Sequence, residues 1–197
     1  MGRKLSRNFY RRPCKQVAED LLGRTLVRIV EGQRVAGTIV ETEAYLGIQD
    51  RAAHTYKGRR TPRVRSMWGD GGTLYVYFTY GMHHCANVVA GRAENPVAVL
   101  IRALAPQDGI EVMQRLRGKN VDLCTGPARL CQAMSIDRTL DGADLVTAPS
   151  VWVEQGASSG LPRRIVRTPR IGVNYAGTWA RRHLRYCIAD NPHVSRR

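Results

Sequence analysis

Between residues 73 and 105 the chain holds three apolar runs, TLYVYFTY, HHCANVVA and PVAVLIRALA, parted only by GM and GRAEN. Their β-branched and aromatic content and turn-like boundaries read as strands, and such short connections favour a largely antiparallel meander. The other segments must pack around it. Upstream, CKQVAEDLLG reads as an amphipathic helix closed by Gly23, and TLVRIV, a turn at EGQ and a second strand from Arg34 read as a hairpin. Downstream, QDGIEVMQRLRG reads as a helix with Ile110, Met113 and Leu116 as its apolar stripe. GPARLCQAMS reads as a second helix, and LVTAPSVWVEQG and RRIVRTPRIGVNYAG supply late strands and turns.

No repeat, linker or composition break divides the 197 residues. The expected fold is α/β of the α+β type: one compact domain, residues 1–197, with a mainly antiparallel curved sheet flanked by helices. Residues 1–13 are expected to form a flexible basic arm. No run of about eighteen apolar residues occurs, and MGRKLSRNFYRRPCK lacks the apolar segment of a secretory signal. The expected location is intracellular: cytoplasm or nucleoid in a bacterium, nucleus in a eukaryote. The five cysteines, at positions 14, 85, 124, 131 and 187, form no C-x-x-C pair and read as reduced core thiols.

Lys and Arg total 31 against 16 acids, a net charge of +15. That balance favours a polyanionic partner, nucleic acid first among them. One cluster, Arg51, Lys57, Arg59, Arg60, Arg63 and Arg65, runs from Asp50 to Asp70 with no acid between, within a Gly-, Arg- and Pro-rich segment over 47–72 that reads as a long functional loop. Arg59, Arg60, Arg63 and Arg65 are candidates for tracking a phosphate backbone. Arg129 in GPARL, near a helix start, is another.

Just before this cluster, TIVETEAYLGIQDRAAH places two carboxylates, a tyrosine and a histidine along one segment. Strand alternation over 34–45 puts Val35, Ile39, Glu41, Glu43 and Tyr45 on one face and Ala36, Thr38, Val40 and Thr42 on the other. In TLYVYFTY the same rule groups Tyr75 and Tyr77 opposite Leu74, Val76 and Phe78, with Tyr80 at the strand end. A carboxylate and tyrosine rings together suit a flat heterocycle; the plainer alternative is tyrosines packed in a core as sheet formers. Glu41 reads as a carboxylate behind the pocket or on the surface. Arg102, on an apolar strand, needs a partner for its charge. The chain has no phosphate-loop, dinucleotide or G-x-S-x-G motif and no H-E-x-x-H. HHC at 83–85 has neighbours on opposite faces and no second ligand pair, so no metal is expected.

In order along the chain, IVETEAYLG...DRAAH, RTPR, GTLYVYFTYGMHHCANVV, AVLIRAL, CTGPARLCQAM and RIGVNYAGTWARRHLRYCI resemble the alkyladenine (3-methyladenine) DNA glycosylase family of the mammalian type, from about residue 15 to 194. The resemblance implies a monofunctional enzyme of base excision repair that flips a damaged purine from duplex DNA and hydrolyses its N-glycosidic bond, as a monomer, without membrane association, cofactor or metal. By position it implies Glu43 as the catalytic carboxylate, Tyr45, His54 and Tyr77 as base-stacking residues, Asn87 and Arg102 in the base pocket, and Tyr80 filling the gap in the duplex. TYGMHHC varies within the family, so His83 and His84 receive no role. A cationic methylated purine among such rings gains about 0.5–2 kcal/mol of cation–π attraction that a neutral base lacks. A damaged-DNA-binding protein without excision activity is the alternative, against which Glu43 argues. A strand-nicking enzyme would need an amine nucleophile, and only Lys57 among the four lysines lies near these motifs.

Overall fold

The computed structural model describes residues 2–156 and 164–195, so Met1 and Arg163, the first residues of the expected arm and of the last expected strand segment, lie outside the described residues. Its strands are β1 (Thr25–Val30), β2 (Gln33–Tyr45), β3 (Leu74–Thr79), β4 (His83–Ala90), β5 (Val97–Asp108), β6 (Val151–Glu154), β7 (Ile165–Thr168) and β8 (Arg185–Ile188). All join one antiparallel sheet whose main path is β3-β4-β5-β2-β1-β6. The expected meander is β3–β4–β5. Beyond the reach of β1, β8 pairs with Glu41–Glu43 of β2 and carries β7 on its outer side. The first hairpin turns through Glu31 and Gly32, both at positive φ (50° and 77°), the I′ geometry that matches strand twist.

Among the described residues four helices, α1 (Arg7–Tyr10), α2 (Cys14–Asp20), α3 (Ile110–Arg117) and α4 (Pro127–Ala133), accompany the sheet. Val17, Leu21, Leu22, Met113, Leu130 and Met134 join Ile39, Leu74, Val88, Val99, Ile101 and Leu104 in one buried cluster on the helix side. On the other side lies a smaller cluster of Val64, Met67, Tyr75, Val89 and Ala98. The segment expected as a loop over 47–72 consists largely of short 3-10 turns, Gly47–Gln49, Tyr56–Gly58 and Pro62–Trp68, and these cover that second side. Another 3-10 segment, Asn174–Arg181, packs there, with Ala176 in one cluster with Ala52 and Tyr45. One face of the sheet is thus closed by helices, and the other by irregular chain that leaves a cleft.

Three expectations are corrected. Strand alternation put Val35 and Ile39 with Glu41, Glu43 and Tyr45, but a bulge in β2 separates them, and a second bulge follows in β5. Between Ile39↔Leu104 and Glu41↔Ala103, β2 advances two residues against one, which bulges Val40; between Glu41↔Ala103 and Thr42↔Ile101, β5 does so, which bulges Arg102. A bulge reverses the alternation of its strand. Val35 and Ile39 therefore join the helix-side core, as does Ala44, and the Thr42 hydroxyl donates to the Ala18 carbonyl at 2.8 Å. Glu41, Glu43 and Tyr45 are left facing the cleft side.

The expected flexible arm is packed instead. Leu5 and Tyr10 are buried, the Leu5 amide donates to Val153, and Lys4 Nζ donates to the Ala148 carbonyl at 2.8 Å. Arg7 donates to Gly71 O at 2.7 Å and pairs with Asp144, while Arg11 pairs with Asp70. Part of the arm's positive charge is thus neutralised internally, and its two large apolar side chains fix it in place.

The third correction concerns α3, expected from Gln107. β5 continues to Asp108, and Gly109, at φ 68°, turns the chain into the helix; a Cβ there would lie 2.7 Å from the Arg34 carbonyl oxygen. Val112 and Met113 are the buried positions, while Ile110 is exposed. The five cysteines are free and buried. Among the described residues no helix is long and apolar enough to cross a membrane.

Candidate active site

The cleft holds a cavity of about 300 Å³ lined by Tyr45 from β2, Tyr75 and Tyr77 from β3, Asn87 from β4, Arg102 from β5 and His54 from the covering segment. Tyr80 stands at its edge and Ile171–Val173 form a further wall. Six residues named from the sequence, Tyr45, His54, Tyr77, Tyr80, Asn87 and Arg102, thus meet at one cavity. Asn87 is fixed by donating Nδ2 to the Tyr75 carbonyl at 3.1 Å. His54 Nδ1 and the Tyr75 hydroxyl are hydrogen-bonded at 2.9 Å, and the His54 ring stands edge-on to Tyr77, centroids 4.6 Å apart. Burial, then Arg63 and Arg59, push the imidazole down to about 4, so His54 is neutral at ordinary pH.

Glu43 is fully buried beneath the cavity, and three residues that touch it line that cavity. The Tyr45 hydroxyl donates to its Oε2 at 2.8 Å, the Ile171 amide donates to its Oε1 at 2.8 Å, and Arg102 Nη1 lies 3.4 Å from Oε1. Burial, then Glu43 itself, holds the Tyr45 phenol well above its ordinary value, which keeps it a donor. Burial raises the Glu43 carboxyl above its ordinary range, against the opposing pull of Arg102, Ile171 and Tyr45.

Glu41, read from the sequence as lying behind the pocket or on the surface, is fully buried and takes more contacts. Its Oε1 accepts from Arg102 Nε at 2.8 Å, Arg185 Nε at 2.7 Å and the Ser195 hydroxyl at 3.0 Å; its Oε2 accepts the Ser195 amide at 2.7 Å. Burial raises this carboxyl, but Arg102, Ser195 and Arg185 outweigh it and hold it below the ordinary range.

Tyr80 is 85% exposed and occupies φ 51°, followed by Gly81 at φ 65°, with the Met82 amide donating to the Thr79 carbonyl. Positive φ in a bulky residue is strained, and strain of this kind collects at functional sites. Arg59, Arg60, Arg63 and Arg65 are exposed on the covering segment. Two of them are engaged within the protein: Arg60 pairs with Glu94 and stacks 3.7 Å from the Trp68 ring, and Arg63 donates to Phe78 O at 3.0 Å. Arg129, on the first turns of α4, pairs with Asp122 at 3.6 Å.

Sequence reasoning missed the ion pair that ties the cleft's covering segments together. Asp50 and Arg170, both fully buried, meet through two contacts of 2.6 and 2.9 Å. The Asp50 carboxylate also accepts the Leu46 and Ala52 amides, and the Arg170 guanidinium lies 4.7 Å from the Tyr45 ring. The available signal was Asp50 as the lone acid heading a cationic run. Arg185, Ile171 and Ser195 carried no comparable local signal. Among the described residues no group of three His, Cys, Asp or Glu is arranged to hold a metal.

A cavity of this size suits one purine, and a purine in duplex DNA reaches such a site only by leaving the stack. The sequence profile described as methylpurine-DNA glycosylase matches residues 8–192. A relative from Methanocella arvoryzae is 48% identical over 196 residues, covering 98% of this chain and 96% of its own. The proteins named DNA-3-methyladenine glycosylase from Mus musculus and Homo sapiens are 42% and 41% identical over 98% of this chain, which spans 61% and 68% of their lengths. These matches define a DNA glycosylase of base excision repair, a hydrolase of N-glycosyl bonds. The chain belongs to the methylpurine-DNA glycosylase family.

Proposed function

We propose that the protein acts as a monomer on double-stranded DNA, flips alkylated or deaminated purines of the 3-methyladenine, 7-methylguanine, hypoxanthine and ethenoadenine type into the aromatic cleft, and hydrolyses the N-glycosidic bond with a water activated by Glu43. The observation that carries this reading is a fully buried carboxylate hydrogen-bonded to Tyr45 and Ile171 and held directly beneath a purine-sized cavity with aromatic walls. Cleavage develops positive charge on the sugar, and Glu43 both stabilises that charge and takes the proton of the attacking water. Tyr45, Tyr77 and neutral His54 receive the base; a cationic lesion gains from the rings and meets no imidazolium. Asn87 and Arg102 bound the pocket. Tyr80 enters the space left in the duplex. Arg59, Arg60, Arg63, Arg65 and Arg129 face the phosphate backbone, with Arg60 and Arg129 exchanging their present carboxylate partners for phosphate. Work on chromosomal DNA places the protein inside the cell.

The test is single-turnover release of base from duplexes carrying hypoxanthine, ethenoadenine or 7-methylguanine. Release by the wild type and its loss in Glu43→Gln is the expected result; tight lesion binding without release would instead identify a damage-binding protein.

A further inference from the structure

The Arg102 guanidinium stands between two buried carboxylates and is committed to one of them. Its Nε donates to Glu41 at 2.8 Å, whereas Nη1 comes only to 3.4 Å from Glu43, and Nη2 points toward the Ser195 hydroxyl at 3.3 Å. A carboxylate offers about four acceptor positions. On Glu43 the Ile171 amide and the Tyr45 hydroxyl take two. A free arginine facing a carboxylate settles into a two-pronged pairing that would occupy the rest.

We propose that Glu41 is a positioning residue: by anchoring Arg102 through Nε it keeps the guanidinium from pairing fully with Glu43, which leaves Glu43 a lone pair for the attacking water. The bulge at Arg102 serves the same end, because it aims the side chain toward Glu41, whose strand partner is Ala103. Arg185 and Ser195 hold Glu41 in place. The inference rests on Glu43 being the base. The titratable or charged groups around Glu43 are Glu41 and Tyr45 on its own strand, Tyr77 on β3, Cys85 on β4, Arg102 on β5, Arg185 and Cys187 on β8, and Arg170 before Ile171. Among the described residues Arg102 is the cation within ion-pair distance of Glu43, so its placement is the main influence opposing burial on that carboxylate.

The experiment follows single-turnover excision of 7-methylguanine, a base already cationic, across pH for the wild type, Glu41→Gln and Glu41→Asp. The Glu43 carboxyl is titrated in parallel by carbon-13 NMR in the free proteins. With Arg102 released, the acid midpoint and the NMR titration both shift down by about one pH unit, and the plateau rate falls about tenfold because the base is weaker. Glu41 also raises Glu43 by charge repulsion, which glutamine removes by itself; aspartate keeps that charge while retracting from Arg102, so its downward shift is the one that carries the test. A midpoint and a Glu43 titration that stay at the wild-type position, with only the plateau or the melting temperature lowered, would overturn the proposal and leave Glu41 a purely structural group. Failure of the underlying reading looks different: Glu43→Gln would excise normally.

Discussion

The Tyr45 hydroxyl donates to Glu43 across 2.8 Å, two residues along the same strand, so a ring that lines the cavity is joined directly to the carboxylate beneath it. Replacing Glu43 by Gln preserves the size of the group and its Ile171 contact but removes the charge. Excision should fall by at least about a hundredfold, while binding of lesion duplex, measured by fluorescence anisotropy, should stay near wild type. Excision within tenfold of wild type would sink the assignment.

The pH dependence follows from the direction in which each group is displaced. Glu43 is raised above its ordinary 4.5 by burial, and excision requires it ionised, so the rate on 7-methylguanine should fall with acid through a midpoint above 4.5. His54 titrates lower, at about 4, and contributes nothing to that limb. A one-proton limb in that position is the expected profile. A midpoint below 4.5 would show that Arg102 outweighs burial.

Stability should move oppositely for the two glutamates. Glu43, raised in the folded protein, contributes stability that is fully present below its unfolded value and lost as pH rises through its folded value. Glu41, lowered by its partners, contributes stability present above its unfolded value and lost as pH falls through its folded value. Near neutrality Glu43→Gln should therefore unfold no earlier than wild type. Glu41→Gln, which removes the carboxylate that Arg102, Arg185 and Ser195 share, should cost about 3 kcal/mol. Urea unfolding of both variants at pH 7 and pH 5 checks the contrast.

Tyr80 pairs exposure with strain, which predicts a trade. Glycine accepts its φ of 51° freely, so Tyr80→Gly should stabilise the protein by about 1 kcal/mol. The same change removes the ring proposed to fill the duplex, worth about 1–3 kcal/mol of stacking. Excision from a fully paired hypoxanthine duplex should drop strongly, and from a bulged one less. Tyr77→Ala, inside the cavity, should impair both substrates alike. Equal losses for Tyr80→Gly on the two substrates would mark its ring as uninvolved in opening DNA.

Chelation and borohydride test the hydrolytic chemistry. Excision should survive EDTA, and sodium borohydride should trap no protein–DNA adduct, because Lys57, exposed on the covering segment, lines no part of the cavity. A trapped adduct would establish an amine nucleophile instead.

The meander was legible because period-two alternation and short connectors act locally: Leu74 and Val76 do face the helices, and Tyr75 and Tyr77 the cleft side. Alternation failed at Val40 because a bulge is fixed by the partner strand and leaves no mark on its own sequence. It is the bulge at Val40 that takes Ile39 off the face of Glu41. Leu5 and Tyr10 were outweighed by the arginines around them, although two buried side chains suffice to pin a short segment. The Asp50–Arg170 pair joins residues 120 apart, and Ser195 reaches Glu41 across 154, distances at which no periodicity operates. The cavity residues came instead from the ordered motifs, whose resemblance carries three-dimensional information that spacing lacks.

The anchoring of Glu41 and Glu43 by Ile171, Arg185 and Ser195 also sets a clock during synthesis. Ribosomes add roughly 5–20 residues per second, so both glutamates leave the exit tunnel many seconds before the groups that neutralise and cap them. In that interval the nascent chain holds Arg102, Tyr45, Tyr77 and Tyr80 but not the far wall of the cleft, which Ile171–Val173 supply. The cleft therefore lacks its far wall until Ile171–Val173 have been made, long after the strands that carry its tyrosines.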